Sequence, residues 1–261
     1  SRNEFDRYSR FNSWGSARET FDWEELCRVE IPLPSLEVQQ ELVNTYNGLK
    51  ALAEQNEALI EPLSKACEAF IVDCKSKYDD VEIGKYINIV DEKNMEKRDY
   101  DIFGINKDKT FMPTHADTNE LDKSKYKMVS KDMFVFSGMQ TGRDICIRLA
   151  LYDNAEPIVV SPAYTTFRLN SPDEILPQYL FIHFKRSEMD RYGWFLSDGS
   201  VRSNLDWDRF LEVKIPLPPI EVQRSIVNLY NCLEEAKKIA QEAREKMKTL
   251  CPALVQRAAN S

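Results

Sequence analysis

A chain that repeats itself at domain-length spacing can fold in few ways. Ile31-Pro32-Leu33-Pro34 with Leu36-Glu37-Val38-Gln39 returns 184 residues later as Ile215-Pro216-Leu217-Pro218 with Ile220-Glu221-Val222-Gln223. Aligned without a gap, residues 6–49 and 190–233 are identical at 23 of 44 positions, far beyond chance. The shared steps include Asp6-Arg7-Tyr8 with Asp190-Arg191-Tyr192, Gly15-Ser16 with Gly199-Ser200, Arg18 with Arg202, and Asp22-Trp23 with Asp206-Trp207. The offset exceeds the roughly 20–50 residues of a solenoid unit. It is the length of a whole domain plus a long helix.

Each copy ends by turning into such a helix. The prolines fix their own φ and push the preceding residue away from helix, which makes an extended corner. Ser35 is then a fitting N-cap, and Pro219 takes its place in the second copy. From Leu36 to about Lys77, Leu42, Tyr46, Leu49, Ala53, Asn56, Ile60, Leu63, Cys67, Phe70 and Cys74 alternate spacings of four and three, a heptad seam with one polar member. About forty residues at 1.5 Å each make a rod of about 60 Å, with Pro62 expected to kink it. From Ile220 to about Ala259 the apolar stripe runs through Leu229, Leu233, Ala236, Ala240, Ala243, Met247, Leu250 and Leu254. Each stripe needs a partner, and the simplest arrangement is one antiparallel coiled coil.

Between the rods lies a mixed segment. Val81-Glu82-Ile83, residues 131–136, 145–149 and 157–160, and the alternating Tyr164-Thr165-Thr166-Phe167-Arg168-Leu169 read as strands, and Pro177 opens a helix. The fold class is therefore α+β. The domain reading is 1–34 as the tail of a first domain whose body is missing, 35–78 as a long helix, 79–218 as a complete domain, and 219–261 as the second helix. No run of eighteen apolar residues exists, and Ser1-Arg2-Asn3-Glu4 lacks a signal-peptide core. Six cysteines without a CxxC pair fit reduced thiols and a cytoplasmic location rather than zinc or disulfides. A formal charge of −8 argues against a generic nucleic-acid coat, though not against a reader with its basic residues on one face.

A domain that ends in Gly-Ser-x-Arg, an Asp-Trp step, IPLP, a Glu-x-Gln helix start and a long helix resembles the specificity subunit of type I restriction–modification systems. That family alternates two target recognition domains with two long helices that pair as an antiparallel coiled coil. The resemblance implies that residues 79–218 form one target recognition domain and that the chain is not itself catalytic. It also implies double-stranded DNA, a methyltransferase subunit and a restriction subunit as partners, the last two bringing S-adenosylmethionine, ATP and magnesium. With one whole recognition domain, a homodimer about a two-fold axis would restore two-domain readout. The contrasting reading is a coiled-coil scaffold or decoy that binds the methyltransferase without reading DNA.

Rival chemistry finds little support. Ser161-Pro162-Ala163-Tyr164 approaches an amino-methyltransferase motif but lacks its second proline, and Phe136-Ser137-Gly138-Met139-Gln140 lacks the second glycine of a cofactor loop. Pro172-Asp173 with Glu212-Val213-Lys214 mimics a metal-dependent nuclease. Its counterpart in the other copy, Arg28-Val29-Glu30, reverses the charges. His115 and His183 have no partner at ligand spacing, and His183 sits on an apolar face.

The candidate DNA-contacting residues lie in three polar segments. Residues 137–143 hold two glycines for close approach, with Gln140 suited to adenine, Arg143 suited to guanine, and Thr141 between them. Arg202, Ser203 and Asn204 form the second set, with Arg202 also readable as a phosphate clamp because Arg18 matches it. Lys107, Lys109 and Thr110 form the third. Lys123, Lys125 and Lys127 alternate, which fits one strand face or, equally, a solvated surface.

Overall fold

The computed structural model describes residues 3–15, 20–30, 33–96, 98–114, 122–199 and 203–259. The first Ile-Pro step (31–32), Arg18, His115 and Arg202 lie outside the described residues. In chain order, α1 (Asn3–Phe11) and α2 (Trp23–Cys27) precede the long helix α3 (Leu36–Lys77). Ten strands follow among the described residues: β1 (Asp80–Glu82), β2 (Ile87–Ile89), β3 (Ile102–Ile105), β4 (Phe111–Pro113), β5 (Lys127–Val129), β6 (Met133–Ser137), β7 (Arg148–Tyr152), β8 (Ile158–Val160), β9 (Thr165–Leu169) and β10 (Lys214–Pro216). The helical turn α4 (Thr141–Asp144) joins β6 to β7, while α5 (Pro177–Phe184), α6 (Ser187–Leu196) and α7 (Trp207–Leu211) lie between β9 and β10. The second long helix, α8 (Ile220–Ala259), comes last. The chain divides into two compact units, residues 63–231 and residues 1–62 with 232–261.

The unit of residues 63–231 is layered helix, sheet, sheet. One sheet has the order β2-β9-β6-β7 and is antiparallel throughout; the other is β4-β3-β8-β5, with β3 and β8 parallel. Strand β6 sits between the layers and is buried on both faces. Its side chains alternate accordingly. Phe134 and Phe136 face the helical layer with Phe167, Tyr179 and Phe210, and Met133 and Val135 face the second sheet with Val160 and Ile158. Phe134 stacks on Phe167 at 4.8 Å between ring centroids. A two-stranded clasp, β1 with β10, pairs Val81 with Ile215 and brings the two ends of the mixed segment together. Ile71 and Cys74 from α3, and Ile226 and Val227 from α8, belong to the same core.

In the unit of residues 1–62 with 232–261, the two long helices meet along small residues. Ala53 on α3 and Ala236, Ala240 and Ala243 on α8 are buried. Arg244 donates from Nε and Nη2 to the Glu57 carboxylate at 2.8 and 2.7 Å. Residue 57 thus meets residue 244, whereas the C-terminal end of α3 shares a core with the start of α8. Only antiparallel helices can do both. Asn56 does not pair across the seam; its side-chain amide donates to the Leu52 carbonyl in its own helix.

Three local expectations change. Phe70 is half-exposed and Ile71 is buried in its place, because a helix of about 3.6 residues per turn drifts away from a strict heptad. The strand expected at 145–149 begins at Arg148, since Ile145 is left-handed (φ 48°) and the Cys146 N–H turns back to the Thr141 carbonyl. Lys123 and Lys125 belong to a short 3-10 turn, so only Lys127 of the three stands on a strand.

Ala240→Asp buries an unpaired charge between the helices and should lower stability by about 3 kcal/mol. Lys238→Ala, on the exposed face of α8, should stay within about 0.5 kcal/mol of the parent in the same urea titration.

Candidate nucleic-acid interface

The first two candidate segments are some sixty residues apart in sequence and are joined in space. The Leu205 N–H donates to the Gly138 carbonyl and the Gly142 N–H to the Ser203 carbonyl, both at 2.8 Å. Asn204 completes the zipper: its Oδ1 accepts from the Gln140 N–H at 3.0 Å, and its own N–H donates to Asp198 Oδ1 at 3.0 Å. Glycine is obligatory here for space. A Cβ on Gly138 would lie 1.9 Å from the Leu205 carbonyl oxygen, and one on Gly142 would lie 2.6 Å from the Ser203 Cβ.

The tip of the β6–β7 hairpin is α4, a single helical turn bracketed by two left-handed residues, Gln140 (φ 59°) and Ile145 (φ 48°). Ser203 across the zipper (φ 47°) and Lys109 (φ 61°) share that conformation. Of the five non-glycine residues with positive φ among the described residues, three lie in these segments and a fourth, Ile145, lies two residues beyond the first. Strained backbone of this kind persists only where neighbours enforce it, and it gathers at functional sites.

Electrostatics organise the exposed side of the turn around Asp144. Its carboxylate accepts from Arg143 Nε at 3.1 Å and Arg148 Nη2 at 2.5 Å, with Lys107 Nζ at 3.4 Å. The hydrogen bond from Arg143 holds the Asp144 carboxyl below the usual carboxylate range, against the opposing effect of burial. Three cations around one anion leave a local excess of two positive charges. Arg143 also donates from Nη2 to Gln140 Oε1 at 2.6 Å. Nε and one Nη2 hydrogen are thereby engaged, and the outer edge of the guanidinium fork remains for a ligand.

The structure thus sorts the sequence-derived candidates. Gln140, Arg143 and Lys107 are brought together, with Arg143 and Lys107 exposed. Ser203 and Asn204 are half-buried and serve as braces. Thr141 is fully buried, its hydroxyl donating to the Gly138 carbonyl. Thr110 is exposed but closes the β3–β4 turn, accepting through Oγ1 from the Asn106 amide at 2.7 Å. Lys109 requires a correction. It points inward and forms an ion pair with Asp190 at 2.7 Å, its side chain 4% exposed, so it cannot reach a phosphate.

Sequence reasoning missed Asp144, Asp190 and Asp198, all of which position the loops rather than face outward. Asp190 carried a signal, because it opens the Asp-Arg-Tyr step repeated at Asp6. His183 is buried edge-on against Tyr179, and that burial lowers its pKa to about 3, so it is neutral. Among the described residues no three His, Cys, Asp or Glu side chains converge as metal ligands would.

Gly138→Ala should open the zipper; amide hydrogen exchange at Gly142 and Leu205 should speed up while β6 and β7 keep their protection. Asp144 has a depressed folded pKa. Its ion cluster therefore adds stability above the unfolded carboxylate pKa and loses it as pH falls through the folded value. Removing the main cause, in Arg143→Ala, should move the Asp144 titration seen by carboxyl NMR upward toward its ordinary value.

The family model described as the type I restriction modification DNA specificity domain matches residues 75–246. Among solved structures, the chain is similar to the type I restriction-modification system S subunit from M. genitalium, with a TM-score of 0.60 at 16% identity over 94% of this chain and 67% of that one. The HsdS subunit from Thermoanaerobacter tengcongensis gives a TM-score of 0.42 at 15% identity over 97% of this chain and 66% of that one. The chain thus spans about two thirds of the length of these proteins. No curated relative matches it. The family match takes in the end of α3, the whole of both sheets, the braced loops and α8 as far as residue 246, and the chain belongs to the family of type I restriction modification DNA specificity domains.

Proposed function

We propose that this chain is the sequence-recognition subunit of a type I restriction–modification complex, working in the cytoplasm. It brings a methyltransferase subunit and a restriction subunit to a chosen site on double-stranded DNA. Catalysis, with S-adenosylmethionine, ATP and magnesium, belongs to those partners. Residues 79–218 act as the target recognition domain, and residues 35–78 and 219–261 act as the paired spacer helices. Pairing of two copies about a two-fold axis would set two such domains on a palindromic site.

The observation that carries this reading is the braced pair of loops, 137–145 and 203–205, beside the β3–β4 turn. They hold an exposed arginine, its glutamine partner and a lysine at one edge of a rigid sheet. Arg143 reads a guanine through the free edge of its fork, and Gln140 orients that fork instead of reading adenine by itself. Lys107 contacts phosphate. Residues 79–218 contain 19 Lys and Arg against 24 Asp and Glu, a net of −5, so long-range attraction to DNA is weak. Sequence choice resides here, and much of the affinity comes from the methyltransferase.

Binding of the chain–methyltransferase complex to cognate and scrambled duplexes at several salt concentrations tests this. Arg143→Ala should cost about 1–3 kcal/mol on the cognate duplex and relax the preference at one position. Lys107→Ala should weaken both duplexes alike and flatten the salt dependence by about one counterion. A complex that binds the two duplexes equally before any mutation would instead mark the chain as a scaffold or decoy.

A further inference from the structure

The β6–β7 tip carries an isoleucine where chain geometry asks for glycine or asparagine. Ile145 has φ 48° and ψ 49°, a left-handed conformation that a β-branched side chain resists. Burial does not account for it, since the residue is 52% exposed. Its neighbours hold it there from both sides. The Asp144 N–H donates to the Gln140 carbonyl at 2.9 Å and the Asp144 carboxylate is gripped by Arg143 and Arg148; beyond it, the Cys146 N–H reaches the Thr141 carbonyl and the Ile147 N–H reaches Asp190 Oδ1 at 2.9 Å. Exposed Met139 stands just before the other left-handed residue, Gln140. Arg143 thus lies in the chain between two exposed apolar residues, Met139 and Ile145, on a turn that cannot easily rearrange.

We propose that Ile145 is a specificity-determining residue that reads the 5-methyl group of a thymine in the major groove, close to the base taken by Arg143. The role rests on the DNA-reading function proposed above. A thymine methyl is the one apolar mark that a base edge shows in that groove, and aliphatic contact is how proteins recognise it. A rigid turn places the isoleucine there without ordering it anew at binding. The strain has a use if the side chain is needed on the outside.

The test uses the chain–methyltransferase complex and a duplex that it selects from a randomised pool. Each thymine of that duplex is replaced singly by deoxyuridine, which removes only the methyl group. One replacement should weaken wild-type binding about fourfold, the equivalent of one buried methyl group. Ile145→Gly and Ile145→Asn relieve the backbone, so they should melt no lower than the parent, and both should bind the thymine and deoxyuridine duplexes equally. Ile145→Val, which keeps a methyl at the branch, should retain part of the discrimination. A selected duplex with no methyl-sensitive thymine, or an Ile145→Gly complex with undiminished sensitivity, overturns the role of Ile145 and leaves the DNA-reading function standing. A pool from which no sequence emerges overturns both.

Discussion

The proposed interface depends on one internal ion pair. Lys109 and Asp190 are 81 residues apart in sequence and meet at 2.7 and 2.9 Å with the lysine side chain buried. The same carboxylate accepts the Ile147 N–H, and the neighbouring Cys146 thiol donates to the Lys107 carbonyl at 3.2 Å. A single aspartate on α6 therefore ties the β3–β4 turn to the start of β7. Removing either partner of a buried pair leaves an uncompensated charge and costs about 3–5 kcal/mol, although the intact pair adds little net stability over an apolar substitute. Its value is register. It keeps Lys107 beside Asp144, so that basic side chains from the β3–β4 turn, α4 and β7 share one anion.

Around that anchor the charge is distributed economically. The mixed domain is acidic as a whole, yet its loop edge carries a local positive excess held by Asp144. On the proposed reading, such an arrangement attracts DNA poorly from a distance and discriminates at contact, because the guanidinium is oriented before it meets a base. The long helices are the mechanical counterpart. Alanines at the seam let α3 and α8 approach closely, and the β1–β10 clasp brings together the two ends of the mixed segment. Both features fix where the loops are presented.

Much of this was legible because it follows from short-range pattern. The 184-residue repeat, the helix starts after the proline corners, the strand alternation at 165–169 and the glycines of the 137–143 loop are all periodicities or local stereochemistry. Long-range pairings were illegible for the opposite reason. Nothing near Lys109 announces that its partner is Asp190, so an inward lysine looked like a phosphate contact. Thr141 and Asn204 were polar loop residues whose hydrogen bonds turn out to be internal. The parallel pairing of β3 with β8, across more than fifty residues, leaves no local mark either. At Phe70 the error was one of period: the heptad fitted the residue types, while the 3.6-residue turn of the helix buries Ile71.

Hydrogen–deuterium exchange on the chain–methyltransferase complex tests the central claim most directly, since it maps DNA contact without choosing a residue in advance. With a selected duplex in place of a scrambled one, exchange should slow at residues 139–147 and 203–205 and at the β3–β4 turn, while α6 and the outer faces of α3 and α8 are unchanged. Sequence-dependent protection that falls elsewhere on the domain, with these three segments exchanging alike on both duplexes, would contradict it.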